Sequence, residues 1–344
     1  MTTTSEKSVA RRGSGNLVIG QSGKPLLIIV QGTDIDRMLD EGLQAIGGLG
    51  KIIRDNRRVL LKPNTNQRDP FPSTTAPETL RAIARHCHLA GADQITVHED
   101  HKEELDLYYH PEDLPGIDIE LSHGPNPDHY VLVEYPGWHG DLDPLVDLSK
   151  QVPDGTPERI LDSSHRLLGR LQESGYQRID GPFVRVARQL QDAPIIINLP
   201  VLKRHFAGQI TSALKNHFGS VFAPQRWLAH SSLPTNRDYF DRKIAEFASA
   251  VRPELTITDV RSLQAVTGPG RNAETQIIEN VNKIIITGDM VAADTVATQI
   301  MAEYDSSFTA KNISIIKRQH EHAMELGLGT DDLSQLEIIN LKTD

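Results

Sequence analysis

Three consecutive isoleucines, residues 195–197, form an apolar, β-branched run that ends just before Pro200. A short strand with both faces buried has this composition, and such strands belong to parallel sheets that are covered by helices. Similar runs at 26–30, 59–61 and 94–97 alternate with stretches of helical spacing. This order predicts an α/β fold with a mostly parallel sheet and helices on both faces.

Residues 108–183 interrupt this alternation with many prolines, glycines and aspartates. Within them, the pattern predicts a short strand at 130–133 and a helix from Glu158 to about residue 172. We interpret the segment as an irregular insertion, either a lid or a second lobe, in a single α/β domain that spans residues 26–344.

The first 25 residues are predicted to be a flexible N-terminal tail. Arg11 and Arg12 are not followed by the apolar segment that an export signal requires. No apolar run approaches the roughly 18 residues that span a bilayer. We therefore expect a cytoplasmic protein with no membrane partner.

Charge and cysteine content restrict the partners and cofactors. The chain has 36 basic and 46 acidic residues and a formal net charge of −10, which argues against nucleic acid as a partner. The single cysteine, Cys87, rules out an internal disulfide and an iron–sulfur cluster held by four cysteines. The loop with Gly268 and Gly270 matches neither the dinucleotide fingerprint nor a P-loop, so no nucleotide motif is predicted and the cofactor stays unknown.

Side chains suited to acid–base chemistry are concentrated after the 195–197 run. The predicted catalytic residues are Lys203, His205, Lys215 and His230. Lys203 and His205 are two apart in a predicted loop, so they would face the same side, and the lysine charge would keep His205 a neutral base. The spacing of residues 209–218 predicts a helix, which would place Thr211 and Lys215 on one side.

Residues predicted to bind a substrate follow the ends of several strands. They are Lys62, Asn64, Thr75, Thr211, Asn216 and Asp259. The carboxyl ends of parallel strands share one edge of a sheet. We therefore expect Lys62, Lys203, His205 and Lys215 to converge on one cavity, with Asp100, Asp259 and Asp289 as counter-charges.

Structural roles are the alternative for several of these residues. Thr75 and Glu78 would together form a capping box for the next helix. Lys215 and Asn216 would only bond the carbonyls at strand ends, and His217 would be an interior histidine with its hydrogen bonds satisfied. The sequence leaves these alternatives open.

The turn after the 94–97 run consists of residue types that bind metals. The weak candidates for a metal site are His98, Glu99, Asp100 and His101. A solvated turn of charged residues is the commoner explanation of such a sequence. Whether a metal is bound is therefore unknown at this stage.

Several motifs resemble one protein family. The segment INLPVLKRHFAGQITSALKNHFGSV is similar to the core signature of the domain-of-unknown-function family 362, and LLKPN, TTAPE, LTITDV and GDMVAADTVA agree with it in order along residues 26–301. The resemblance is specific for the family but implies no particular activity, since most members have none assigned. Many members of the family carry a cysteine-rich ferredoxin module, and this chain does not have the cysteines for one.

Together these features indicate an enzyme that acts on a small anionic molecule bearing a carboxylate or phosphate. Lysines would hold the anion while His205 or His230 moves a proton, as in an isomerase, lyase or hydrolase. The alternative is a metal- or ligand-binding accessory protein that serves a redox or biosynthetic partner, as the resemblance implies. A homo-oligomer remains open.

Overall fold

A computed structural model of the chain describes residues 10, 12–13, 16–65, 68–100, 102–114, 117–122, 130–134, 148–175 and 183–343. In these residues the strands are β1 (Leu26–Gln31), β2 (Arg58–Lys62), β3 (Gln94–His98), β4 (Asp118–Ser122), β5 (Tyr130–Glu134), β6 (Phe183–Ala187), β7 (Ile196–Asn198), β8 (Val201–His205), β9 (Gln209–Thr211), β10 (Leu255–Ala265), β11 (Gln276–Ile278), β12 (Lys283–Thr287) and β13 (Glu337–Lys342).

The helices lie between and around these strands. They are α1 (Ile35–Ala45), α2 (Gly50–Ile53), α3 (Pro77–Leu89), α4 (Lys102–Tyr108), α5 (Leu148–Gln151), α6 (Glu158–Glu173), α7 (Arg188–Asp192), α8 (Ala223–Ser231), α9 (Arg237–Val251), α10 (Met290–Tyr304) and α11 (Ala310–Glu325), with 3-10 helices at Pro111–Asp113, Lys215–Ser220 and Leu333–Gln335. Within the described residues, no helix is long and apolar enough to cross a membrane.

The main sheet is mixed but mostly parallel. Its strands follow the order β13-β1-β12-β10-β7-β2-β3-β4, and β12 runs antiparallel to both of its neighbours, β1 and β10. The other neighbouring pairs along this path are parallel. The predicted α/β class with a mostly parallel sheet is confirmed.

Adjacent residues of the central strands face opposite sides of the sheet. Leu60 and Ile196 belong to the core under α9 and α10, whereas Leu61 and Ile197 belong to the core under α1 and α3. A strand buried on both faces needs apolar side chains at every position, which is why these strands are uninterrupted apolar runs. The helices on both faces are therefore confirmed as well.

Strand β7 lies between β2 and β10 and fixes the register of the site. Asn198 pairs with Lys62 on one side and with Thr256 on the other. Because all three strands are parallel, Lys62 and Asn198 reach the same edge of the sheet.

The predicted helix over residues 209–218 is wrong. Strands β8 and β9 form an antiparallel pair in which Lys203 pairs with Thr211 and His205 with Gln209. A 3-10 helix over Lys215–Ser220 follows. The apolar spacing that suggested a helix reflects a shared core, because Ile210, Leu214 and Phe218 all pack into the cluster under α9.

Lys203 and His205 lie on β8 and not in a loop, since β8 pairs in parallel with β10. On a strand, residues two apart also share a face. The two side chains therefore point to the same side, as expected, but because they lie on one strand and not because they lie in an extended loop.

The predicted division into a tail, one domain and an insertion stays a prediction. Within the segment predicted as a tail, Arg12 is mostly buried and donates to the carboxylate of Glu254 and to the carbonyl of Ala193. Within the predicted insertion, β4 joins the main sheet beside β3, and β5 pairs only with β6 in a separate small sheet.

Candidate functional site

A cavity of about 240 Å³ opens at the edge of the sheet where β2, β7 and β8 end. Its walls come from these strand ends, the 3-10 helix after β9, and helices α6 and α8. The lining residues are Asn64, Glu99, Ser163, Arg166, Leu167, His205, Phe206, Thr211, Lys215, Asn216, Phe218, Gly219, Arg226, Trp227, His230 and Pro269. Six of the predicted site residues are therefore part of one wall.

Three asparagines connect the strand ends by a chain of hydrogen bonds. Asn64 Nδ2 donates to Asn216 Oδ1 at 2.9 Å, and Asn216 Nδ2 donates to Asn198 Oδ1 at 2.7 Å. Asn216 Nδ2 also lies 3.2 Å from the carbonyl oxygen of Lys62. Asn216 thus bonds strand-end groups, as the structural alternative expected, and it also lines the cavity.

Lys203 is fully buried behind this chain. Its Nζ donates to Asn64 Oδ1 at 2.8 Å and to the carbonyl oxygen of Ser73. Burial lowers the pKa of Lys203 to about 7, because the charged form loses its hydration. Lys203 therefore positions Asn64 and does not itself line the cavity.

Lys62 forms a buried ion pair with Glu99. The distance from Lys62 Nζ to Glu99 Oε2 is 2.8 Å, and the side chains are 0% and 2% exposed. Glu99 also accepts from the backbone N–H groups of Thr65 and Asp100. Of the four residues expected to converge, His205 and Lys215 line the cavity, while Lys62 and Lys203 support residues that do.

The hydrogen bonds of His205 fix its tautomer. Its Nδ1 lies 3.0 Å from the backbone N of Ala207 and 3.2 Å from that of Gly208. Since a backbone N–H only donates, Nδ1 is the acceptor and the proton of the neutral ring is on Nε2. Burial lowers the pKa of His205 well below its usual range, and the charge of Lys215 adds to the shift.

His230 has the opposite tautomer. Its Nδ1 lies 2.9 Å from the carbonyl oxygen of Arg226, which can only accept, so Nδ1 carries the proton and Nε2 has the lone pair. Burial and the charge of Lys215 hold its pKa well below the usual range. The rings of His205 and His230 are 5.8 Å apart, so one donor and one acceptor imidazole share the cavity.

Lys215 lies among aromatic rings. Its Nζ is 3.5 Å from the ring centroid of Phe218 and 5.7 Å from that of Phe240. Burial lowers the pKa of Lys215 well below its usual range, and the positive charges of Arg226 and Lys203 lower it further. Burial therefore disfavours the charged form of this amine compared with an exposed lysine.

Arginines supply the positive charge of the site. Arg166 and Arg226 line the cavity, and Arg226 is paired with Asp100. A second cavity of about 130 Å³ shares the walls His205 and Phe206 and is lined by Arg159 and Arg204.

The side chains of the predicted metal turn have other partners. Glu99 is bound to Lys62, and Asp100 is bound to Arg226 and to the hydroxyl of Tyr130. His98 is buried, and His101 lies outside the described residues. Across the described part of the chain, no group of three or more His, Cys, Asp or Glu side chains is arranged to hold a metal ion.

Thr75 does not cap α3. The N-cap residue is Ala76, and the Thr75 hydroxyl instead donates to the carbonyl of Leu199 and accepts from the backbone N of Asn64. The predicted capping box is therefore wrong, and Thr75 fixes the loop that carries Asn64.

Two predicted counter-charges lie elsewhere. Asp259 accepts from Thr79 on α3 and pairs with Arg261, on the face of the sheet away from the cluster that contains Phe218. Asp289 caps α10 at the opposite edge, because the strand before it, β12, is antiparallel. Neither belongs to the cavity wall.

His217 is an interior histidine, but its hydrogen bonds are not all satisfied as the structural alternative expected, because within the described residues its Nε2 has no hydrogen-bond partner. Its ring is fully buried, with Nδ1 3.3 Å from the hydroxyl oxygen of Ser220. Burial lowers its pKa to about 3.

Apart from His230, sequence reasoning missed the wall residues from α6 and α8. Arg226 and His230 are four apart on α8, and this spacing was the available signal. Gly219 was also missed, although a Cβ atom there would lie 2.3 Å from Glu99 Oε1. The position has no room for a side chain beside the Lys62–Glu99 pair.

Residues 170–299, which include β7 to β10 and the motif around Lys215, match the model of the family described as domain of unknown function (DUF362). The expected resemblance is confirmed for this segment, which carries most of the cavity wall.

Two known proteins are similar to the chain. The thylakoid-associated protein sll1697 of Synechocystis sp. is 25% identical over 262 residues, which cover 75% of this chain and 67% of the relative. Among solved structures, the lactate racemase apoprotein from Thermoanaerobacterium thermosaccharolyticum is 10% identical, with a TM-score of 0.45 over 86% of this chain. The match spans 62% of the length of that structure.

Proposed function

We propose that this protein is an enzyme that moves a proton on a small anionic molecule. The observation that carries the proposal is the placement of three basic side chains with lowered pKa values, Lys215, His205 and His230, in the wall of one cavity. Groups that stay neutral near pH 7 in a closed site serve general acid–base catalysis, because they accept or share protons without prior deprotonation.

The two histidines have different roles in this proposal. His230 is the base, since its Nε2 has the lone pair while Nδ1 is bound to the Arg226 carbonyl. His205 is a hydrogen-bond donor, since its Nε2 carries the proton, and it stabilises negative charge that develops on a substrate oxygen. This assignment replaces the predicted role of His205 as a base.

Helix α6 supplies the charge that holds the anion. Arg159 and Arg166 are seven apart on this helix, and they line the smaller and the larger cavity respectively. Among the described residues neither has an ion-pair partner, whereas Arg226 and Arg204 are paired with Asp100 and Asp305. Guanidinium groups with free donors bind carboxylate and phosphate well.

The test is hydrogen exchange in D₂O. The protein is incubated with a panel of small hydroxy, oxo and amino acids and their phosphorylated analogues, and NMR follows the loss of each carbon-bound proton. Exchange at one position of one compound is the expected result. His230→Gln should slow it on the order of 10²–10⁴-fold with little change in KM.

Arg166→Met should mainly weaken substrate binding, raising KM more than it lowers kcat. In the proposal this arginine contacts the anionic group of the substrate and takes no part in the proton transfer. The exposed histidine of α6, His165, provides a matched control. His165→Gln should exchange at the wild-type rate. Exchange that His230→Gln leaves intact would contradict the proposal.

A further inference from the structure

Lys215 differs from the other two buried lysines of the site in having no polar partner. Lys62 is bound to Glu99 and Lys203 to Asn64. Within the described residues, the Nζ of Lys215 makes no hydrogen bond and no ion pair, and it lies near the rings of Phe218 and Phe240. The side chain is only 7% exposed and lines the cavity, so its amine is available to a small molecule that enters the cavity.

The surroundings of Lys215 suit a nucleophile. Burial, followed by the charges of Arg226 and Lys203, lowers the pKa, so the nitrogen lone pair is free in a larger fraction of molecules than in an exposed lysine. The aliphatic part of the side chain is held in place by the backbone, since a Cβ atom on Gly208 would lie 3.2 Å from both Lys215 Cδ and Cε. The amine therefore enters the cavity from a fixed direction.

The geometry points to Lys215 as the residue that forms an imine with the carbonyl group of a small anionic oxo compound. This inference rests on the proposed function and specifies its substrate class. An imine makes the neighbouring C–H bond more acidic. Imine formation would therefore make it easier for His230 to remove that proton.

Imine formation needs no reactant other than the Lys215 amine and the carbonyl compound. The lone pair of Lys215 Nζ attacks the carbonyl carbon, and the electrons of the C=O bond move to oxygen, where the Nε2–H of His205 stabilises them. His230 Nε2 takes one proton from the nitrogen and returns it to that oxygen, which gives a carbinolamine. Loss of the hydroxyl with the remaining nitrogen proton forms the C=N bond and one water molecule.

The ring of Phe218 has a role in the next step. When the imine takes up a proton from solvent, a positive charge develops on a nitrogen that lies above the face of this ring. A cation over an aromatic face is stabilised by the ring quadrupole, more so where water is excluded. Burial thus disfavours the positive charge on the free amine. The protonated imine is favoured, because the anionic group of the bound substrate offsets its positive charge.

The test is reductive trapping followed by peptide mapping. The full chain is incubated at pH 6.5 with formaldehyde, glyoxylate, pyruvate or 2-oxoglutarate and cyanoborohydride, and the label on each lysine peptide is quantified. The expected result is labelling of Lys215 at least about tenfold faster than labelling of the exposed Lys311 with one or more probes, since an ordinary lysine is almost fully protonated at this pH.

The pH dependence provides a second readout. Labelling of an ordinary lysine should rise about tenfold per pH unit between pH 6 and 9, because its neutral fraction does. Labelling of Lys215 should rise much less. Because mapping locates the label in the wild-type protein, no variant has to fold for the result to be decisive.

Two outcomes separate this inference from the proposed function. If none of the four probes labels Lys215 faster than Lys311, the imine is overturned, and hydrogen exchange that depends on His230 would still stand. If Lys215 is labelled selectively but no compound exchanges hydrogen in D₂O, the imine stands and the proton-transfer function falls.

Discussion

At the scale of single residues, burial lowers the pKa values of the basic groups in and behind the site. Lys203 shows the cause most simply, since it is fully buried, its main partners are a neutral amide and a carbonyl, and its pKa falls to about 7. Such residues oppose folding at neutral pH, because the unfolded chain holds them charged and hydrated. The protein retains them at the expense of stability.

A pH prediction follows for Lys203. The folded pKa, about 7, lies below the unfolded value of 10.5. Between these values the unfolded chain binds more protons, so the free energy of unfolding rises with pH by up to about 1.4 kcal/mol per unit from this group. Below pH 7 the lysine is charged in both states and its contribution is constant.

Urea unfolding of the wild type and of Lys203→Met between pH 6.5 and 9.5 checks this prediction. The wild type should gain more stability with rising pH than the variant does. Lys311→Met is the control and should parallel the wild type. Parallel curves for Lys203→Met and the wild type would show that Lys203 is not neutralised by folding.

At the scale of elements, the 3-10 helix over Lys215–Ser220 connects the cavity to the buried Lys62–Glu99 pair. Lys215 at its start faces the cavity, and Gly219 near its end lies against the carboxylate of Glu99. Lys215 and Gly219 are four residues apart, so this one short helix carries both contacts.

Gly219→Ala should therefore destabilise the protein. The added methyl group would lie 2.3 Å from Glu99 Oε1, and that carboxylate is held by Lys62 and two backbone N–H groups, so a shift breaks buried bonds. We expect a loss of about 1–3 kcal/mol in thermal or urea unfolding.

Gly169 on α6 is the matched control, because nothing lies within 4 Å of a Cβ atom there. Gly169→Ala should raise stability by about 0.5–1 kcal/mol, since alanine is the better helix former. Equal effects of the two substitutions would mean that Gly219 is not constrained by Glu99.

At the scale of the whole molecule, the sequence predicts the strands and helices that depend on local residue patterns. It does not predict which strands are neighbours or in which direction each strand runs. The apolar run at 195–197 predicted a central strand, because three consecutive β-branched apolar residues are typical of a strand with both faces buried. The direction of β12 could not be predicted from its own residues, and the misplacement of Asp289 follows from it. Strand direction depends on which neighbours a strand meets, and one strand's sequence does not contain that information.

The same limit applies to the site. The sequence singled out Lys203, His205, Lys215 and His230 because lysines and histidines are uncommon next to buried strands. It could not show that Lys203 bonds Asn64, since that bond joins residues far apart in the chain, or that Lys215 lies against the rings of Phe218 and Phe240. Nor could it assign base and donor, which depend on the carbonyl of Arg226 and the amides of Ala207 and Gly208.

The most direct test of the account is the tautomer of the two cavity histidines, measured by long-range ¹⁵N–¹H NMR at pH 7. His205→Gln and His230→Gln variants assign the signals. The account predicts two neutral rings, with the proton on Nε2 in His205 and on Nδ1 in His230. A positively charged ring at either position, or a proton on Nε2 of His230, would contradict it.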